Sequence, residues 1–201
     1  AHSFIMISGL ILGLSVFIMF SLVVDFTSSV DSFHKNADRI YAVVQILPGS
    51  EGQPSAITPA PLIPALMSEF PEIEKAARFS PPSRMIVRYQ DKVFYENGIR
   101  FVDADFLSIF SFKTIAGEKD KALSRANSIV LTEDAALKYF GDEDPLGKTL
   151  SLNQEIDVVV TGITENVPDN SSIQFDFLVS METAQTLYEW ETDWGTKNQA
   201  T

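Results

Sequence analysis

The sequence predicts an α+β protein in which an N-terminal transmembrane helix precedes a mixed α/β domain. Two observations carry this. Every Lys, Arg, Asp and Glu lies after position 24, so residues 4–24 form a run without a charge. Beyond it, runs rich in β-branched and aromatic residues alternate with segments of helical spacing, and Pro and Gly separate them.

Composition sets the outer bounds. The chain has 201 residues, of which 45% are apolar and 11% aromatic, enough for a sizeable core. A formal charge of −12 excludes a surface that tracks polyphosphate backbones, which needs clustered Lys and Arg, so no nucleic acid is expected. The absence of Cys excludes a disulfide framework, a thiolate nucleophile and Cys-based metal sites, and leaves the compartment open.

The charge-free run, FIMISGLILGLSVFIMFSLVV, spans roughly 31 Å as a helix at about 1.5 Å per residue, close to the hydrocarbon thickness of a bilayer. Its Phe, Ile, Leu and Val residues each favour insertion by about 0.3–0.6 kcal/mol, which outweighs three Ser and two Gly. A cleaved signal peptide fits poorly, because the run exceeds an ordinary h-region and no A-x-A pattern follows. Gly9 and Gly13 form a GxxxG that lets another membrane helix approach. Only Ala1, His2 and Ser3 precede the run, so the positive-inside comparison has nothing to count there, and the start reads as cut from a longer chain.

Residues 25–40 are expected to form an amphipathic stalk. Phe26, Val30, Phe33, Ala37 and Ile40 recur at spacings of four and three, one apolar face of a helix. Two forms remain open: a single rod from Phe4 to Arg39, about 54 Å long, or a separate short helix capped near Ser28 or Ser32.

The elements of residues 41–201 follow in order. Tyr41–Leu47 is a strand candidate ending in the turn-rich PGSEGQPS, and Thr58 precedes a helix with Leu62, Ala65, Leu66 and Phe70 on one face, stopped by Pro71. Ile73–Phe79, Met85–Tyr89 and Val93–Phe101 suit strands. Asp103 is placed to cap a short helix through Phe110. Ser128–Leu131 is a strand, and Thr132 caps the helix EDAALKYF, whose acids favour its N-terminus and which Gly141 closes in the left-handed conformation. Thr149–Leu152, Ile156–Ile163 and Ile173–Val179 supply three more strands, whereas the tail from Glu182 gives no firm assignment and reads as cut mid-element.

No residue pattern singles out a catalytic, cofactor or metal site. Gly141 to Thr149 resembles a phosphate loop but has five residues between its glycines, carries three acids and follows a helix. Asp142, Glu143 and Asp144 lack calcium-loop spacing. His34 has no nucleophile signature in support and reads as a surface residue near the membrane. The carboxylate pairs Asp103/Asp105 and Asp91/Glu96 stand out from no other acids, and the sequon-like Asn170-Ser-Ser172 is a frequent chance match.

Taken together, ISGLILGLSVFI, SFHKNADRIYAV, TPAPLIPALMSEFPEIEKAARF, FVDADFLSIFSF, NSIVLTEDAALKYFGDEDPLGKTL and VTGITENVPDNSSIQFDFLVS resemble the MacB-like periplasmic core domain of FtsX-like ABC transporter permeases, over nearly the whole chain. The resemblance implies a non-catalytic permease subunit without a cofactor, whose first membrane helix leads into an extracytoplasmic domain of two α+β lobes, one inserted in the other at roughly 84–155. It implies further transmembrane helices, an ABC ATPase on a separate chain, and a homodimer or paired permease in the lipid of the bacterial inner membrane. It places the domain in the periplasm, with a partner protein there or in the outer membrane. Coupling by mechanotransmission would pass through Phe26, Val30, Phe33, Ala37 and Ile40. The alternative is a transmembrane signalling module that regulates a periplasmic partner such as a cell-wall hydrolase or sensor kinase. The family's usual basic residue after IY is Ala42 here.

Overall fold

The computed structural model describes residues 2–46, 51–59, 61–188 and 199–200. Helix α1 (His2–Ser29) contains the charge-free run and extends past it to about 42 Å. Its apolar side chains point outward all round, with Phe17 67% exposed, which is tolerable only in a non-aqueous solvent. Among the described residues it is the one helix long and apolar enough to cross a bilayer, with a mean hydropathy of 2.5.

A 3₁₀ turn (Ala37–Arg39) follows, then the short antiparallel pair β1 (Gln45–Ile46) and β2 (Pro54–Ser55). Strand β3 (Thr58–Pro59) leads to α2 (Leu62–Glu69), which starts after Pro61 and ends ahead of Pro71 as its prolines require. The main sheet comprises β4 (Ser83–Tyr89), β5 (Lys92–Val102), β6 (Thr114–Gly117), β7 (Ser128–Thr132), β8 (Thr149–Leu152), β9 (Ile156–Thr164) and β10 (Phe177–Ser180). Between them lie α3 (Phe106–Ile109) and α4 (Glu133–Phe140), with α5 (Met181–Tyr188) and β11 (Gln199–Ala200) after β10. Strand β11 pairs with β3.

The sheet order is β6-β9-β7-β10-β5-β4-β8, and β8 also pairs with the first half of β9, so six strands close into a ring. Pairs β5–β10 and β7–β9 are parallel and the rest antiparallel. Residues 84–155 supply most of β4 and all of β5 to β8, and β9 and β10 join the same sheet. Alternation along the strands builds two cores. Ile129, Leu131, Phe177 and Val179 face one side with Ala135, Ala136, Tyr139 and Phe140 of α4. Val130, Leu178 and Val102 face the other, with Phe106, Leu107, Phe112 and Phe175. Strand β7 is buried along all five residues because both its faces are covered.

Several expectations change. Of Tyr41–Leu47 only β1 forms, since Tyr41 is exposed and no sheet face covers this stretch; Leu47 lies outside the described residues. Ile73–Phe79 makes a single bridge, Phe79 to Val102, because its neighbours bond side chains instead of a ladder. The Arg78 backbone N–H and guanidinium both donate to Asp103, at 2.8 Å, and this bidentate pair takes Asp103 away from the capping role expected of it. Ile173 and Phe175 are core residues, but pairing starts at Phe177. Thr132 does cap α4, its Oγ1 accepting from Ala135 N, whereas Gly141 has φ 60° and ψ −124°, a region open to glycine but outside the left-handed helical well. The Glu182 tail begins as α5.

Candidate functional site

The stalk reading meets the structure at Ser29. Thr27, Ser28 and Ser29 turn their hydroxyls back onto the carbonyls of Val23, Val24 and Phe26, at 2.5, 2.7 and 2.8 Å, so that the last turn bonds its side chains to its own backbone. Asp31 then adopts φ 56°, which ends the helix; Asp tolerates this conformation better than most residues. The continuous rod is therefore absent, and Val30, Phe33, Ala37 and Ile40 do not extend a helical face from Phe26.

What replaces the rod is a hydrogen-bonded joint. From the loop before β10, Asn170 Nδ2 donates to the Ser29 carbonyl at 2.7 Å, and the Asp31 N–H donates to the Asn170 carbonyl at 3.0 Å. The Asp31 carboxylate accepts from Ser172 N, at 2.9 Å, and from the Ser172 hydroxyl. The first of these bonds satisfies the Ser29 carbonyl at the end of α1, and together they tie the helix to a segment about 140 residues later.

The second half of the joint is aromatic. Phe33 packs on the core, with ring centroids 5.7 Å from Phe112 and 4.1 Å from His34. The imidazole of His34 also lies 5.3 Å from both Phe110 and Phe112, and Phe112 meets Phe175 edge-on at 4.9 Å. His34 is only 6% exposed, which corrects the surface position expected for it; the Phe33 contact carries it inward. Its Nδ1 accepts from Ser111 N at 3.1 Å, and the Lys35 N–H donates to Ser111 Oγ at 2.9 Å. Because a backbone amide can only donate, Nδ1 must be the unprotonated nitrogen. Nε2 finds no hydrogen-bond acceptor among the described residues, and Asp31 Oδ1 lies 4.0 Å away. Burial holds the imidazole below its ordinary pKa, partly opposed by Asp31.

Of the residues assigned to coupling from sequence, Phe33 alone is drawn into the domain core; Phe26 and Val30 are exposed, as is Ala37, and Ile40 is half-buried. Gly9 and Gly13 are open, with nothing within 4 Å of a Cβ built there, so a partner helix could approach. The sequence reading missed Asp31, His34, Ser111, Asn170 and Ser172 as one group. Partial signals existed: His34 follows an apolar stripe residue, and Asn170 and Ser172 stood out only as a sequon.

Three of the four carboxylates weighed as acid pairs have structural partners. Asp103 pairs with Arg78, Asp105 with Lys75, and Glu96 accepts from Lys138 Nζ and Tyr139 Oη, both at 2.6 Å. Lys148 of the phosphate-loop lookalike is ion-paired with Glu143. No group of three or more metal-ligating side chains occurs among the described residues.

The family model for the MacB-like periplasmic core domain matches residues 3–198. The chain belongs to that family. As a MacB-like periplasmic core domain with an N-terminal apolar helix, it is part of a permease of ABC-transporter type. It resembles a solved domain assigned to a permease protein from Porphyromonas gingivalis at 26% identity and a TM-score of 0.61, covering 73% of this chain and 67% of that one. The extracellular domain of the noncanonic ABC-type transporter YknZ from Gram-positive bacteria shares the fold at 15% identity and a TM-score of 0.56, with 78% of each chain covered. The periplasmic region of MacB from Actinobacillus actinomycetemcomitans aligns at 18% identity and a TM-score of 0.47, over 62% of this chain and 59% of that one. No curated protein matches.

Proposed function

We propose that this chain is the first membrane helix and extracytoplasmic domain of an ABC permease subunit, and that it couples cytoplasmic ATP hydrolysis to export or extrusion of a substrate by mechanotransmission. Residues 4–24 span the inner membrane, 25–40 form the link, and 41–201 form the periplasmic domain, with roughly 84–155 as its inserted part. The subunit works without catalysis of its own, as a homodimer or paired permease, with an ABC ATPase on a separate chain and a partner in the periplasm or outer membrane. One observation carries the coupling reading: the end of α1 and the residues directly after it are tied to the domain, Ser29 and Asp31 by bonds to Asn170 and Ser172, and Phe33 and His34 by contacts with Phe112 and Ser111. Force on α1 reaches the sheet through this joint, without a long rod.

The test uses the full-length permease with its ATPase in nanodiscs. A Cys introduced at Lys121, whose side chain is 74% exposed, carries the spin label in a background from which any Cys outside these residues has been removed. Distances between paired labels in the dimer are expected to differ between ATP-bound and nucleotide-free states. In an Asp31→Ala/Asn170→Ala variant that retains ATPase activity, the difference should shrink. A nucleotide-dependent distance change of full size in that variant would refute coupling through the joint.

A further inference from the structure

The joint contains one group whose chemistry is unused by the coupling reading. His34 is buried in a cage of Phe33, Phe110 and Phe112, and its ring is fixed by a bond that only a neutral imidazole can make. Protonation at Nδ1 would set two N–H groups, those of the ring and of Ser111, against each other across 3.1 Å. The same ring faces a carboxylate it does not touch when neutral, Asp31 Oδ1 at 4.0 Å.

We infer that His34 positions the membrane helix on the domain, and that the joint has a second arrangement, reached in an acidic exterior, in which His34 leaves Ser111 for Asp31. In the neutral arrangement His34 accepts from Ser111 N, Ser111 Oγ accepts from Lys35 N, and Asp31 is free to hold Ser172. The imidazolium swings toward Asp31 and competes with Ser172 for its oxygens, so both halves of the joint loosen together. The step takes one proton from solvent onto Nδ1 and breaks the Ser111 bond.

The surrounding charges fit a switch with a defined sign. Asp31 is the carboxylate acting on the ring. Lys35 follows it in sequence, and on the side of Phe110 stands Lys119, whose amine reaches the Phe110 carbonyl at 3.5 Å and feels both Lys35 and Lys75. Lys75 is engaged by Asp105 and Ser108. Asp169 lies in the loop that carries Asn170. Burial among the aromatic rings keeps the imidazole neutral in the closed joint against the pull of Asp31, and opening brings it a proton. Since the folded pKa lies below 6.5 and pairing with Asp31 holds that of the open form at or above 6.5, the open form binds more protons in the window between the two, and the closed joint weakens as pH falls through that window.

The inference does not depend on the coupling reading, and the experiment needs neither nucleotide nor ATPase. Amide hydrogen exchange is measured at Ser111, Lys35 and Ser172 in the chain held in a nanodisc, corrected for intrinsic exchange, from pH 8 downward. The joint's opening constant is expected to rise by up to about tenfold per pH unit below 6.5, levelling at the folded pKa. In a His2→Ala background His34 is the sole imidazole, so its Cε1 resonance reports the protonation directly. His34→Asn keeps an acceptor near the place of Nδ1 without titrating and should give a pH-independent opening constant. Protection that stays constant while the Cε1 resonance titrates would overturn the inference. So would a His34→Asn variant with the acid response of the parent, or a ring that stays neutral wherever the domain is folded.

Discussion

Substitution of Asp31 separates two contributions to the joint, its carboxylate bonds and its backbone conformation. The carboxylate accepts twice from Ser172, and bonds to a charged acceptor contribute about 1.5–3 kcal/mol each. With the side chain 32% exposed, water and screening reduce the pair to about 2 kcal/mol. The backbone sits at φ 56°, which costs Ala about 1 kcal/mol but adds little for Asp or Asn, whose short polar side chains suit this conformation, and nothing for glycine. Asp31→Ala should therefore open the joint by about 3 kcal/mol, Asp31→Gly by about 2, and Asp31→Asn, whose amide oxygen still accepts and which tolerates this φ, by about 1. The readout is exchange of the Ser172 amide at constant pH above 7, where His34 is neutral. About 3 kcal/mol corresponds to exchange faster by roughly two orders of magnitude. Alanine and glycine variants with equal exchange would remove the backbone part of the reasoning. Unchanged Ser172 protection in all three would show that Asp31 does not hold the joint.

Three further outcomes follow from the packing. Phe112→Ala removes a ring that is 4% exposed and touches Phe33, His34, Phe106 and Phe175; it should cost about 3–5 kcal/mol in urea unfolding and move the His34 pKa back toward 6.5, as seen by NMR. Tyr139→Phe takes one donor from the buried Glu96, leaving Lys138 as its partner, and should lower the urea midpoint by the equivalent of about 1–2 kcal/mol with an unchanged slope. Leu14→Arg, near the middle of the charge-free run, should make translocon insertion of α1 less favourable by about 3 kcal/mol, and an insertion assay without that change would argue against a membrane-spanning role.

The readable parts of this chain were those whose cause is local. A run without charge, Thr132 ahead of two acids, and prolines before and after α2 each act within one or two turns, and α1, α4 and α2 formed where those signals placed them. Runs of β-branched and apolar residues bounded by turn signals likewise marked β4, β5, β7, β8 and β9, because strand propensity is also a property of contiguous residues. Ile73–Phe79 carries the same residue types but lacks a paired ladder, since Arg78 and Asp103 bond through side chains there. Strand propensity records suitability for a sheet and is silent on whether an edge is vacant.

The joint marks the boundary between the two kinds of information. The sequence by itself determined that an apolar helix precedes an acidic α+β domain, and its family pattern, because hydropathy, length and spacing are properties of contiguous residues. Only the tertiary structure decided that α1 stops at Ser29, that His34 is buried and neutral, and that Asp31 is held by Asn170 and Ser172. An apolar stripe at helical spacing continues as a helix only if nothing competes for its backbone groups. Here the competitors lie some 140 residues away in the chain, and folding alone brings them to the helix end.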